Sequence, residues 1–297
     1  MILITGATGS NGTEVIKRLA GKNIQVRAMV RDRTKAKNIA ISNVEVVEAD
    51  FDRPETLQSA LAGVKRAFLL TNSSENAEAQ QIAFIDAAKQ SGVEHIVKLS
   101  QFKADANSPG RFLRYHAAVE AALQASGIAY TFLRPNLFMQ GLLNFRSTIA
   151  SQNSFYAAAG DARVSMVDVR DIAEVAVVAL TEAGHEGKTY DLTGSEALTH
   201  AEMAEQLSTA LGRKITFVDV SPEAMHAALI NIGFPLWQAD GLIEEYAHYR
   251  RNEAAEVTFG IRDAISQEPS SFATFARDYA EMFSWRWFVY KPSRAKW

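Results

Sequence analysis

Met1-Ile2-Leu3-Ile4-Thr5-Gly6-Ala7-Thr8-Gly9-Ser10-Asn11-Gly12 opens the chain: a short apolar run, three glycines three residues apart, then a helical pattern from Gly12 to Ala20. A strand that turns through glycines into a helix is the phosphate-binding unit of dinucleotide folds. One glycine lets the chain turn, one admits a pyrophosphate against the backbone, and one packs helix on strand. The helix N-terminus adds free N–H groups and a partial positive charge. The first gap is one residue wider than in GxGxxG. Gly6, Ala7, Thr8, Gly9, Ser10, Asn11 and Gly12 are the candidate cradle. A P-loop is excluded, because Asn11 stands five residues after Gly6 and no Gly-Lys-Ser/Thr follows.

Outward from this loop, short β-branched runs alternate with longer helical patterns. The runs are Ile2–Thr5, Ile24–Val30, Val44–Val47, Ala67–Thr71, His95–Leu99 and Tyr130–Leu133; helices are expected over Gly12–Ala20, Pro54–Leu61, Ala77–Gln90 and Leu113–Ala125. Nearly all-apolar strands separated by helices indicate a parallel sheet covered on both faces. The expected fold is α/β: a Rossmann-type doubly wound parallel sheet of six or seven strands, with a smaller, partly interleaved α/β C-terminal domain. Residues 1–150 are assigned to the nucleotide-binding domain, with 163–182 returning to it, and 151–283 to the smaller domain. The cleft between the domains is the expected substrate site. In the second half the pattern predicts a helix over Asn136–Ala150, a strand over Arg163–Val167, a helix from Asp168 to Leu180 and a strand over Lys188–Leu192. Thr199 and Glu202 form a capping box for a helix ending at Gly212. A strand at Ile215–Val220 and a helix starting at Ser221-Pro222 follow, then helices over Leu236–Arg251 and Ser270–Phe283.

Composition sets limits. The 297 residues carry 31 Lys+Arg against 34 Asp+Glu, a net charge of −3, and no cysteine. Thiolate metal sites, iron–sulfur clusters and cysteine nucleophiles are therefore excluded. There is no global basic field for nucleic acid. No stretch is long and apolar enough to span a membrane, and the opening run has no charged region of a secretory signal ahead of it. A cytoplasmic protein is expected.

At the end of the second strand, where NAD enzymes place a carboxylate, Arg31 stands with Arg33, Lys35 and Lys37 behind it. A guanidinium grips a 2′-phosphate bidentately and a lysine adds a point charge, so NADP(H) is favoured over NAD(H) and Arg31 and Lys35 are its candidate contacts. Asp32 dissents; pointing inward, it would tolerate NAD. Asp50 and Phe51, closing the third strand, suit an adenine edge and face. Thr71 and Asn72, ending the fourth, should pass the cofactor's ribose.

These residues resemble the NmrA-like branch of the atypical short-chain dehydrogenase/reductases, in particular its NADPH-dependent quinone reductases. The resemblance is carried by Gly6 to Gly12, Arg31, Asp50, His116-Ala117-Ala118-Val119-Glu120 with Ser126-Gly127, and Tyr130-Thr131-Phe132-Leu133-Arg134-Pro135. Val167-Asp168-Val169-Arg170-Asp171-Ile172-Ala173 and Gly184-His185-Glu186-Gly187-Lys188 extend it. In this register Phe112 stands where the superfamily has its catalytic tyrosine and His116 where it has its lysine; Ser100 stands at the serine position. Tyr115 is out of place on another helix face.

The loss discriminates between reactions. Reducing a ketone makes an alkoxide, nearly as basic as the anion of water at about 15.7, and needs a positioned acid. Reducing a quinone makes a phenolate, with a conjugate acid near ~10. The resemblance thus implies hydride transfer from NADP(H) to a quinone or similar electron-poor acceptor, with His116 as donor or orienter and Ser100 as hydrogen-bond partner. Pro135, Asn136, Phe138 and Met139 are expected to line the nicotinamide and acceptor pocket. The alternative is a non-catalytic sensor of NADP occupancy acting through a protein partner; a sugar-nucleotide epimerase would need the missing tyrosine. No metal site is expected. The segment Ser284–Trp297, aromatic and basic, is expected to dock on the second domain or on a dimer mate, with peripheral membrane contact as the alternative.

Overall fold

The structure, a computed structural model, describes residues 1–284; the expectations for the C-terminal tail lie outside the described residues. In chain order the elements are β1 (Ile2–Ile4), α1 (Ser10–Gly21), β2 (Val26–Val30), β3 (Val44–Glu48), α2 (Leu57–Leu61), β4 (Arg66–Leu69), α3 (Ala77–Gln90), β5 (His95–Leu99), α4 (Arg111–Ser126) and β6 (Ala129–Pro135). Then come α5 (Arg146–Gln152), β7 (Ser154–Ala157), β8 (Arg163–Val164), α6 (Val169–Thr181), β9 (Lys188–Leu192), β10 (Leu198–Thr199) and α7 (His200–Leu211). The chain continues through β11 (Thr216–Asp219), α8 (Pro222–Asn231), α9 (Leu236–Arg250), α10 (Gly260–Ile265) and α11 (Phe272–Asp278).

They form two compact units. The first comprises Met1–Pro135, Val169–Leu192 and Phe259–Glu268. Its sheet has seven parallel strands in the order β3-β2-β1-β4-β5-β6-β9. β1, β5 and most of β2 and β4 are buried, as strands covered on both faces must be. One face carries α2, α3 and α4 over a core that includes Leu3, Phe84, Ile96, Val119 and Phe132. α1, α6 and α10 pack together as a second helical group. The order reverses between β1 and β4, and at such a switch point the loops beyond the strands' carboxyl ends part and open a crevice.

The second unit comprises Asn136–Asp168, Thr193–Thr258 and the described residues from Pro269. It pairs β7 with β11 in parallel and β8 with β10 antiparallel. Its core gathers Phe155, Met203, Leu207, Phe272, Phe275 and Phe283. The capping box at Thr199 and Glu202 forms, Gly212 ends α7 in the left-handed region, and Ser221 caps α8. Several segments differ from the expected elements: β7, β10 and α10 have no counterpart among them, and Ser270–Phe283 divides into α11 and a 3-10 turn over Ala280–Phe283. Residues 139–145 form a 3-10 turn ahead of α5, because Phe138 bridges Val167 and the Met139 amide donates to the Val167 carbonyl at 2.9 Å. Those pairings use the backbone groups a helix would need. They also stop the strand at Val164 and put residues 136–152 in the second unit, where the expected boundary was 150. Over Pro54–Leu61, a 3-10 turn precedes α2.

Candidate functional site

The β1–α1 loop is shaped by close approach. Gly6 sits at φ +57°, and a Cβ on Gly12 would lie 2.3 Å from the Gly6 carbonyl oxygen, so only glycine fits there. Thr5 Oγ1 ties the loop to the end of β4, accepting from the Leu70 amide at 2.8 Å. α1 has no side-chain cap at Gly9 and no acid in its first turn. The Thr13 amide donates to the Gly9 carbonyl at 2.9 Å, so the amides ahead of it, of Ser10, Asn11 and Gly12, have no partner within the helix. Asn11 is buried, and its Oδ1 has no hydrogen-bond partner among the described residues. Thr8, Gly9 and Ser10 are exposed, and Ala7 is buried. An uncapped, acid-free helix start beside a buried unpaired acceptor is equipped to receive an anionic, hydrogen-bonding group.

Beyond β2, Arg31, Arg33, Lys35 and Lys37 are all exposed. Asp32 does not reach outward: it caps a 3-10 turn over Arg33–Asn38, accepting from the Thr34 amide at 2.8 Å and the Thr34 hydroxyl at 2.6 Å. The Thr34 hydroxyl bond, with the amide bond behind it, holds the Asp32 carboxyl below its usual range. Asp50 is half-buried and accepts from the Asp52 amide at 3.1 Å, while Phe51 turns onto Phe84 with ring centroids 5.7 Å apart. Thr71 accepts from Gln81 Nε2 at 2.9 Å, and Asn72 is exposed. Gln81 Oε1 is buried without a hydrogen-bond partner among the described residues.

A polar cluster lies inside the first unit, at the carboxyl end of β5. Ser100 Oγ donates to Glu120 Oε1 at 2.5 Å, and Arg134 grips the same carboxylate with both arms, Nε at 2.9 Å and Nη2 at 2.5 Å. The Ser100 proton is thus committed to Glu120. His116 is buried on α4, and its Nδ1 meets Lys98 Nζ at 2.8 Å. Lys98, on β5, is fully buried and also donates to the Leu99 carbonyl at 3.3 Å. Burial pulls the Lys98 ammonium down to about 7, against the opposing pull of Glu120. Burial, then the Lys98 charge, holds His116 well below the ordinary imidazole range. Tyr115 packs its ring 4.1 Å from that of His116, and its hydroxyl lies 3.1 Å from Ser73 Oγ in the loop after β4. Phe112 meets the Tyr115 ring edge-on.

Sequence reasoning missed Lys98 and the part played by Tyr115. A lysine inside an apolar strand of a doubly covered sheet was the available signal, since a buried ammonium needs a partner. Pro135 ends β6 and is buried. In the second unit, Asn136 Nδ2 donates to Ser165 Oγ and to the Ala254 carbonyl, both at 2.9 Å, and its Oδ1 accepts from the Leu137 amide. Met139, 1% exposed, belongs to that unit's core. Of the four residues expected to line the nicotinamide and acceptor pocket, Pro135 ends β6, Asn136 and Met139 are held by internal structure of the second unit, and Phe138 is half-buried.

The chain's residues 1–281 match the model of the NmrA-like family. It belongs to that family. An NAD(P)H azoreductase of Xenophilus azovorans is 36% identical over 283 residues, 95% of this chain and 99% of that protein. Quinone oxidoreductase 2 of Escherichia coli is 36% identical over 248 residues, 82% of this chain and 86% of that one. Among solved structures, the E. coli NADPH-dependent quinone oxidoreductase complexed with NADPH superposes with a TM-score of 0.84 at 32% identity, covering 94% of this chain and 99% of that one. The seven-stranded parallel sheet is the Rossmann-like α/β fold of that neighbour. No helix of the described residues is long and apolar enough to cross a membrane.

Proposed function

We propose that this NmrA-like chain is an NADP(H)-dependent reductase that delivers hydride to a quinone or similar electron-poor acceptor. The observation that carries the reading is the uncapped, acid-free start of α1, with Gly12 admitting no Cβ, at the switch point of the sheet. Those features fit the pyrophosphate of a dinucleotide. Gly6 to Gly12 would hold it, and Asn11 Oδ1 offers an unused acceptor to a hydroxyl or bound water. Arg31 and Lys35 would take a 2′-phosphate, with Asp32 turned into its own loop. Asp50, Phe51, Thr71, Asn72 and Pro135 complete the assigned contacts. When bound, NADPH supplies the hydride.

The chain's own chemistry is the proton side. His116, kept neutral by burial and by Lys98, can donate a hydrogen bond to an acceptor oxygen as charge develops on it. A nascent phenolate needs only that help, which suits a site with Phe112 in place of a tyrosine. Ser100, committed to Glu120, orders α4 against β5 and β6 around His116. The azo- and quinone-reducing relatives support a reductase over a non-catalytic sensor.

The test is stopped-flow oxidation of NADPH by benzoquinone and menadione. Saturable acceleration over the free reaction is expected; NADPH that binds without any acceleration would overturn the reading.

A further inference from the structure

Lys98 is a cation with no exposed surface, on a strand whose five residues are all buried. Its strand neighbours in register are Leu69 on β4 and Phe132 on β6. The charged groups acting on it are Glu120 on α4 and Arg134 on β6, and Arg134 lies in turn within the field of Asp191 on β9. α6, which also packs on β5, buries only apolar residues. Most of the Glu120 charge is engaged by the Arg134 fork, so Lys98 has no carboxylate of its own. What it has is one imidazole nitrogen at 2.8 Å and, at 3.3 Å, the carbonyl of Leu99.

An ammonium has three donors and no acceptor. While Lys98 is charged, His116 Nδ1 can only accept. A neutral imidazole that accepts at Nδ1 carries its proton on Nε2. The Nδ1–H tautomer and the imidazolium are both excluded, because each would set a proton against the ammonium. We infer that Lys98 is a positioning residue that, while charged, pins His116 as the Nε2–H tautomer, so that Nε2 is a donor to the acceptor oxygen. The superfamily's lysine has moved in function rather than vanished: the cation comes from β5, one residue removed from the reacting atoms. When Lys98 loses its proton, with an ammonium held down to about 7 by burial, its amine can accept from Nδ1 as well as donate to it, so the tautomer is no longer fixed and the donor at Nε2 is only partly populated. Turnover should therefore fall on the alkaline side of neutrality. The inference deepens the reductase reading and rests on His116 as the donor.

The experiment is ¹⁵N NMR of the full chain with labelled histidine, with and without NADP, on wild type, Lys98→Met and Lys98→Arg, together with the pH profile of menadione reduction. At pH 6 the wild-type His116 should show an unprotonated Nδ1 and a protonated Nε2, with no conversion to imidazolium down to pH 5. Lys98→Met should lose the tautomer bias and lower kcat at least roughly tenfold, with NADPH affinity changed less than about twofold. Lys98→Arg, still a donor above pH 9, should keep the tautomer and abolish the alkaline fall. A protonated Nδ1 in the wild type, or a Lys98→Met spectrum and pH profile like wild type, overturns the inference. If Lys98→Met does not fold, the wild-type spectrum and Lys98→Arg decide. If no variant, wild type included, turns over menadione, the reductase reading fails while the spectra still judge Lys98.

Discussion

Each unit buries a histidine that stays neutral, and the two do it by different means. In the first, His116 is held between a tyrosine ring and a lysine ammonium, one helical turn from a carboxylate locked to an arginine. In the second, His200 is ringed by Phe217, Tyr246 and Phe155 at centroid distances of 5.1, 6.1 and 6.3 Å, and burial alone brings it down to about 4. His200 is packing that happens to be titratable. His116 is part of a charged assembly whose proton placement is dictated by its neighbours. Burial alone accounts for the state of His200, whereas the proton of His116 is also constrained by a charged partner on one nitrogen.

The contrast breaks hardest at the carboxylates. Glu120 neutralises Arg134 and accepts from Ser100, whereas Glu245, buried on α9, lies against the phenols Tyr246 and Tyr249. Glu120→Gln removes the counter-charge of a buried ammonium, leaves a half-buried guanidinium with only the more distant Asp191, and should cost roughly 3 kcal/mol or more. Urea titration measures the loss; one under about 1 kcal/mol would mean that the Glu120 carboxylate is not needed there as a counter-charge.

Acid should test the two interiors together. His95, buried in the first unit with Nε2 2.9 Å from Thr131 Oγ1, is also lowered to about 4, chiefly by burial. Above about pH 6.5 both histidines are neutral, folded or unfolded, and add no pH dependence. Between 6.5 and 4 the unfolded chain binds protons that the native state refuses, so stability falls as pH falls. Each should lose on the order of 3 kcal/mol across that window. His200→Phe should remove its share, seen as a shallower decline of the thermal midpoint between pH 7 and 4.5. An unchanged slope would mean that His200 is not held neutral.

Turnover separates the two histidines next. His116→Ala should lower kcat for menadione about 100-fold, some 2.7 kcal/mol of barrier, by removing the donor. His200→Phe should leave kcat within about twofold. A His116→Ala enzyme with full turnover would move the donor elsewhere, and Tyr115, its hydroxyl 3.1 Å from Ser73, is the next candidate.

How much of this could be read from the chain alone follows the range of the interactions. Thr5 to Gly12 is a local device: turn, glycines and helix start within a few residues, so its role is visible in sequence. Ala77–Gln90 and His95–Leu99 also coincide with their expected limits, since strict burial of one helical face or of a whole strand fixes the pattern. The 3-10 turn at 139–145 was hidden because Phe138 and Met139 pair with Val167, far along the chain. Lys98 and His116 are likewise joined only when β5 and α4 come together. Periodicity records that Lys98 lies in a strand but not what its ammonium meets. The superfamily register pointed to a lost lysine because it compares positions along one helix, and the cation arrives from a strand.

The smallest effect tests the exposed end of the first unit, where charge is not buried. Arg31 and Lys35 lie in solvent, and an exposed cation acts on a phosphate through a screened field. Arg31 has the bidentate fork and Lys35 only a point charge. Arg31→Ala should raise the Kd for NADPH about tenfold, or 1.4 kcal/mol, and leave that for NADH within about twofold, measured by quenching of intrinsic fluorescence at low ionic strength. Lys35→Ala should raise it about threefold. Both losses should shrink at 0.5 M salt, unlike any effect of Glu120→Gln, because buried pairs are screened far less than exposed ones. If Arg31→Ala weakens NADH equally, the guanidinium acts on a group common to both dinucleotides. Asp32, its carboxylate taken by Thr34, would then have no bearing on the choice between them.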